Sequence, residues 1–379
     1  MLCLSPLLVV AAAMGHLAEH TSPTVCDGVF FVHFLADQKI RFALSRDGFH
    51  FTPLLNNSAV PDIDGGNDTS VRDPFVRFDP QSGLYRMVAT DGYRFGHDAT
   101  IWYWESSDLI EWSKQRALPV MAAYAGEFQD TWAPEWVWDV NENEYVVFWT
   151  TRWLPGNGAD KFDPSCTNKN PNRFAQWHTR TKDWQTFGPP RVLIDMHCNT
   201  SDYAPMQLGD GGYDCDIVYH DGLYHAYWKS MQAPSETIGR APWNDRNIQP
   251  WSGVHVVTSP DLKSWSAPLP ATHNFDPEML GMWGAEGPEL LVVNGTMMHL
   301  YFDCSFQPFD PKKWSKPPYG VAVAKYPDGY RDVKSWKTVP GSCTGNNTAN
   351  MLFPPGATQG SFICVSNAQY AAIEAKWPP

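Results

Sequence analysis

Short runs of aromatic and β-branched residues, such as Ile101-Trp102-Tyr103-Trp104 and Val254-His255-Val256-Val257, recur along the chain with polar turns between them. Such runs read as strands, and no stretch reads as a long amphipathic helix. The turns share a phrase: a hydroxyl or turn residue, then Asp, then an aromatic a few residues on. It appears as Ser45-Arg46-Asp47-Gly48-Phe49, Ser107-Asp108 to Trp112, Lys182-Asp183-Trp184 to Phe187, Ser259-Pro260-Asp261 to Trp265, and more loosely Pro327-Asp328 to Trp336. The five aspartates are 61, 75, 78 and 67 residues apart. One such phrase is ordinary hairpin chemistry, because Asp and Ser bond their own backbone in turns. Five at this spacing are repeats of one strand-turn-strand unit, and the pattern predicts an all-β, five-bladed β-propeller in a single domain over residues 22–379.

A second element recurs between the turn phrases, an acidic residue at the start of an apolar strand. The copies are Arg72-Asp73-Pro74-Phe75, Trp132-Ala133-Pro134-Glu135, Tyr213-Asp214-Cys215-Asp216 and Ala285-Glu286-Gly287-Pro288-Glu289. Proline suits a strand entrance, since it favours extended geometry before it and lacks an N–H that would be wasted there. In a propeller the first strand of each blade lines the central axis, so residues at these entrances converge around one funnel. Polar acids at matched points of a rigid scaffold are candidates for binding or catalysis.

Composition narrows the class. Aromatic residues make up 14% of the 379 residues, with 18 Trp, and charged residues only 18%, which suits short aromatic strands. A formal net charge of −13 leaves no basic patch to neutralise phosphates, so neither nucleic acid nor an anionic membrane is an expected partner. Residues 1–15 form an apolar stretch ending in small residues and read as a signal peptide with a weak basic start, implying a secreted, extracellular protein. Sequons at Asn56, Asn67, Asn199, Asn294 and Asn346 agree with a secreted glycoprotein. Eight cysteines, with Cys3 in the leader, leave seven; the loop composition favours Cys343–Cys364 and Cys166–Cys198 disulfides, with Cys215 and Cys304 as free core thiols. No cysteine spacing suggests a thiolate metal site.

These phrases together resemble glycoside hydrolase family 43, the five-bladed propeller glycosidases of the arabinofuranosidase and xylosidase type. The resemblance covers nearly the whole mature chain. Its strongest stretches are Val71 to Phe75 with Tyr85 to Asp91, Ile101 to Trp112, Trp132 to Glu135 with Tyr145 to Trp149, Asp214 with Asp221-Gly222-Leu223-Tyr224, and Glu286-Gly287-Pro288. It implies three catalytic acids: Asp73 as base, Asp214 as the residue that orients and tunes, and Glu286 as acid. Asp216 competes with Asp214, but the spacing to Asp221-Gly222 fits better from Asp214. Strand alternation would put Glu289 on the face opposite Glu286. Arg72, Trp132, Glu135, Trp283 and Tyr93 are expected to bind substrate, Glu135 and Asp130 by shaping the pocket, and Phe95 is a further aromatic candidate for stacking on a sugar. The family often carries an axial His in blade five that organises a calcium or a water. Gln359 stands there, in Thr358-Gln359-Gly360-Ser361, so no metal is carried over: no cofactor is required, and calcium stays an open alternative without support.

Glycoside hydrolysis needs a protonated carboxyl at the leaving oxygen and an ionised one to activate water on the opposite ring face. Asp214 beside Glu286 would favour the protonated acid, and Arg72 supplies a cation next to Asp73. The expectation is therefore an inverting, monomeric glycosidase acting on arabinofuranoside, xyloside or galactofuranoside linkages of plant or cell-wall glycans. The alternative is a carbohydrate-binding propeller without turnover, which Gln359 makes conceivable. A β-fructosidase would need an Asn-Asp-Pro-Asn-Gly phrase and a Glu-Cys acid, and a sialidase a cluster of arginines; the sequence offers neither.

Overall fold

The computed structural model describes residues 25–61, 63, 70–92, 99–128, 130–152, 174–194, 212–230, 254–266, 285–304, 319–342 and 348–379. Their strands form five antiparallel sheets. Blade one is β4 (Val71–Asp79), β5 (Leu84–Asp91), β6 (Ile101–Ser106) and β7 (Arg116–Leu118). Blade two is β8 (Trp132–Asp139), β9 (Glu144–Arg152), β10 (Phe174–Thr181) and β11 (Arg191–Ile194). Among the described residues blade three is β12 (Gly212–His220), β13 (Leu223–Ser230) and β14 (Val254–Ser259). Blade four is β15 (Ala285–Val293), β16 (Met297–Cys304), β17 (Tyr319–Lys325) and β18 (Lys337–Thr338). Blade five joins the two ends of the chain: β19 (Thr358–Val365) is innermost, followed by β1 (Gly28–Phe34), β2 (Ile40–Ser45) and β3 (Phe51–Pro53). The inner strands β4, β8, β12, β15 and β19 contact one another in a closed ring, which is the five-bladed propeller that the sequence pattern predicts.

The recurring turn phrase has one physical meaning in four of its five copies. The Asp accepts hydrogen bonds from the backbone N–H groups two and three residues on, at 2.7–2.9 Å, in Asp47, Asp108, Asp183 and Asp261. A hydroxyl two residues before the Asp closes each turn: Ser45, Ser106, Thr181 and Ser259. The residue after each Asp is left-handed, with φ of 77° at Gly48, 68° at Leu109, 58° at Trp184 and 55° at Leu262. At Asp47 burial opposes ionisation, yet the backbone donors of His50 and Phe49 win and hold the carboxyl at about 2. The fifth copy differs, because Asp328 opens a helical turn, Asp328–Arg331.

Blade five is pinned covalently by a disulfide between Cys26 and Cys364. This replaces the expected Cys343–Cys364 pair. Val29 lies opposite Cys364 in the β1–β19 ladder, so the strand pairing that closes the ring brings Cys26 to Cys364. Cys215 is a buried free thiol, as expected of a residue in an apolar strand. Cys166, Cys198 and Cys343 lie outside the described residues, as does the leader. A C-terminal helix, Asn367–Lys376, starts at a Ser366 capping box and buries Tyr370 and Ile373 against this blade. Of the sequons, Asn56 and Asn294 are described and exposed, and the Asn294 amide clasps the backbone of Cys26, accepting from its N–H at 2.7 Å.

Candidate active site

A β-bulge interrupts each inner strand near its entrance, where the register against its neighbour slips by one residue. The extra residue is left-handed in four blades: Asp73 (φ 49°), Ala133 (φ 45°), Asp214 (φ 51°) and Gly287 (φ 52°). Non-glycine residues avoid this region at a cost of about 1–3 kcal/mol each, and bulges are devices for re-aiming a side chain. Asp73 and Asp214 thus occupy the same strained position in blades one and three, whereas Glu286 lies one residue earlier, paired across the sheet with Asp303.

Neighbouring blades are clasped at this level by a repeated contact. Thr90 on β5 accepts the N–H of Ala133 at 2.8 Å, Thr150 on β9 accepts that of Asp214 at 3.2 Å, and Asp303 on β16 accepts that of Gln359 at 2.9 Å. The clasp that joins blades one and two also holds the candidate base, because the Thr90 hydroxyl donates to Asp73 Oδ2 at 2.8 Å. Asp73 is only 6% exposed; among the described residues its Oδ1 has no hydrogen-bond partner, and it lies 4.0 Å from Arg72 Nη2. A carboxylate fixed through one oxygen, with the other oxygen unclaimed, is suited to receive a proton from a water.

Asp73, Asp214 and Glu286 come together electrostatically. The Asp214 carboxyl is pushed up to about 7, first by burial and then by the negative charges of Glu286 and Asp73, with Lys229 opposing. Glu286 is half-buried and forms a direct ion pair with the ammonium of Lys229, a β13 residue that is 2% exposed. Lys229 lies opposite Tyr213 in the β12–β13 ladder, which brings it to the entrance of the neighbouring strand. Sequence reasoning passed over it. The available signal was a lone Lys closing the run Leu223-Tyr224-His225-Ala226-Tyr227-Trp228, where a strand this apolar has no ordinary use for a charge.

A second acidic layer lies deeper on the axis. Glu135, Asp216 and Glu289, from blades two, three and four, are all buried and offer oxygens within 4.8 Å of one another. Glu289 does not face away from Glu286. Glu286 pairs with Asp303 and Glu289 with Tyr301, so the bulge lets three residues span two and puts both glutamates on one face. Arg77 binds Asp216 at 2.8 Å and donates to the carbonyls of Trp136 and Ile217, while Leu290 N–H donates to the other Asp216 oxygen. Burial, followed by the Asp216 charge, raises the carboxyls of Glu135 and Glu289 well above the ordinary range. Those shifts favour the neutral forms of Glu135 and Glu289 beside the Arg77–Asp216 ion pair. Arg77 has a structural explanation there, tying three blades to one another.

The remaining candidates divide by place. Arg72 and half-buried Trp132 hold matching positions before the bulges of blades one and two, opposite Thr90 and Thr150. Glu135 lies in the deeper layer and Asp130 is buried before β8. Tyr93, Phe95 and Trp283 lie outside the described residues. Gln359 carries its side chain over Gly287, where a β-carbon would come within 2.5 Å of Gln359 Cγ. An amide packed on a neighbouring backbone does not supply the axial imidazole of the resembled family.

A family model described as "Probable glycosyl hydrolase domain", of the glycosyl hydrolase 43-related type, matches residues 25–239. The chain belongs to this family. The family is one of glycosidases, which hydrolyse O-glycosyl bonds, and such chemistry uses a pair of carboxyl groups. An α-L-arabinofuranosidase of Bifidobacterium longum subsp. longum is 23% identical over 361 residues, covering 84% of this chain and 31% of its own length. The chain thus spans about a third of that curated relative. Among solved structures, an endo-1,4-β-xylanase from Bacteroides thetaiotaomicron shares the fold with a TM-score of 0.51 at 10% identity, over 86% of this chain and 97% of that one. A thermostable family-43 glycoside hydrolase matches with a TM-score of 0.46 at 18% identity, over 80% of this chain and 82% of that one.

Proposed function

We propose that this protein is a secreted, inverting glycoside hydrolase acting on arabinofuranoside, xyloside or galactofuranoside linkages of plant or cell-wall glycans. The observation that carries the reading is the state of Asp73: buried, held by Thr90 through one oxygen, and with the other oxygen unpartnered among the described residues. In this reading a water accepted by Asp73 Oδ1 attacks the anomeric carbon while Glu286 delivers a proton to the departing oxygen. Asp73 ends protonated, Glu286 ends ionised, and the next water restores both. The charges of Asp214 and Glu286 disfavour one another, so the pair retains a proton more readily than either acid would alone, and in this reading Glu286 delivers it. The inner strands β4 and β15 are not adjacent in the ring, since β19 separates them, and carboxyls so placed leave room for a water between them. Arg72, Trp132 and Glu135 serve in binding, the first two from the funnel wall and Glu135 by supporting its floor. The disulfide between Cys26 and Cys364 supports an oxidising, extracellular setting. The name of the Bifidobacterium relative favours arabinofuranosides among the three sugars.

Gln359 favours a second reading, a sugar-binding propeller of the same fold that has lost turnover. The two readings separate on a panel of nitrophenyl α-L-arabinofuranoside, β-D-xyloside and galactofuranoside substrates. Hydrolysis of any of them, abolished in Asp73→Ala, supports the enzyme; sugar binding by calorimetry with no turnover of the panel supports the lectin.

A further inference from the structure

We propose that Lys229 is a positioning residue for the proton donor: by pairing with Glu286 it fixes the orientation of that carboxyl and sets the upper pH limit of turnover. This rests on the glycosidase reading above. Lys229 is 2% exposed, and its ammonium touches Glu286 Oε1. A buried ammonium needs a partner, and a carboxyl in contact with one favours its charged form. That demand opposes the one made by acid catalysis, in which Glu286 must hold a proton when substrate arrives.

The groups packed around Glu286 show which side each takes. Asp214 from β12 and Asp73 from β4 are acidic and interact with the same cluster. Asp303, opposite Glu286 on β16, is acidic and 2% exposed, and Gln359 from β19 is neutral. Arg72 lies against Asp73 on blade one. Lys229 is a cation in direct contact with the donor. The carboxylates therefore press Glu286 toward protonation and Lys229 presses it toward ionisation, so the balance limits the pH range over which the donor stays charged with its proton. The same contact holds Glu286 through Oε1 and so restricts the rotamers of the carboxyl.

The test compares wild type with Lys229→Met and Lys229→Arg. Neutralising the cation should move the alkaline limb of kcat/KM upward by about 1 pH unit, the lower end expected for a lost opposite charge at a half-buried carboxyl. Lys229→Arg keeps the charge and should keep the limb within about 0.3 of a unit on the same grounds. A limb unmoved in Lys229→Met, or moved equally in both variants, overturns the proposal. If Lys229→Met does not fold, Lys229→Gln carries the same expectation. A second readout does not require turnover: carboxyl infrared titration, using wild type minus Glu286→Gln difference spectra, should show Glu286 protonating at higher pH once Lys229 is replaced. If that band shifts while no substrate is hydrolysed, the hydrolase reading has failed and the Lys229 contact stands. If it does not shift, the inference itself is wrong.

Discussion

Replacing Asp214 with Asn should stabilise the protein at alkaline pH while abolishing its function. The Asp214 carboxyl titrates at about 7, against an ordinary value of 3.8, because burial and then the charges of Glu286 and Asp73 disfavour its ionised form. A group whose proton is held more tightly in the folded state adds nothing adverse below the unfolded value. Its cost grows as pH rises from about 4 to about 7 and is complete above that, since the folded chain binds more protons than the unfolded one across this window. The difference is about 3 units, and at about 1.4 kcal/mol per unit the ionised carboxylate costs on the order of 4 kcal/mol at pH 8. Asn keeps the size and can still accept the N–H of Gly287, the backbone donor that Asp214 now uses. The shift already includes the opposing pull of Lys229, so the variant should exceed wild type by on the order of 4 kcal/mol at pH 8 and match it at pH 4. Urea denaturation of both proteins at several pH values measures this directly. A stability difference that stays constant from pH 4 to pH 8 would refute the buried-charge argument, whatever happens to activity.

Glu286→Gln should lose most activity on natural sugars but much less on substrates with an acidic phenol as leaving group, because a good leaving group needs little protonation. Equal losses on both classes remove Glu286 from the donor role. Gly287→Ala should cost about 1–3 kcal/mol, from its left-handed φ of 52° and from a β-carbon 2.5 Å from Gln359 Cγ, and should displace the adjacent Glu286. Adding Gln359→Ala should recover the steric part only, so a double-mutant cycle with no coupling between the two positions would contradict the packing described.

Much of the architecture was legible because propeller repeats are written in local chemistry. Asp47, Asp108, Asp183 and Asp261 each satisfy two backbone N–H groups within three residues, so their pattern survives in the sequence whatever surrounds it. Asp328 repeats the letters with Tyr326 in place of a Ser or Thr two positions earlier, and its segment turns helical instead. The hydroxyl in the second copy is Ser106 and not Ser107, a register that shows itself only when the four turns are laid side by side. Other features were not legible because they depend on register between distant strands. The expected separation of Glu286 from Glu289 assumed an unbroken strand, and one bulge residue reverses it. The Cys26–Cys364 pair follows from β1 lying against β19, which loop composition does not report. Lys229 reaches Glu286 across two blades, a contact between residues 57 apart that no local pattern encodes.

The central claim is that Asp73 and Glu286 act from opposite sides of the funnel on one bond, with a water between them. Proton NMR of the sugar released from an arabinofuranoside, recorded before mutarotation, tests it most directly. Carboxyls separated by a water, about 6.5–9.5 Å apart, give a single displacement, and the first product should carry the anomeric configuration opposite to that of the bond cleaved. Release of sugar with its configuration retained, or a glycosyl ester trapped on Asp73, would contradict the assignment of Asp73 as base.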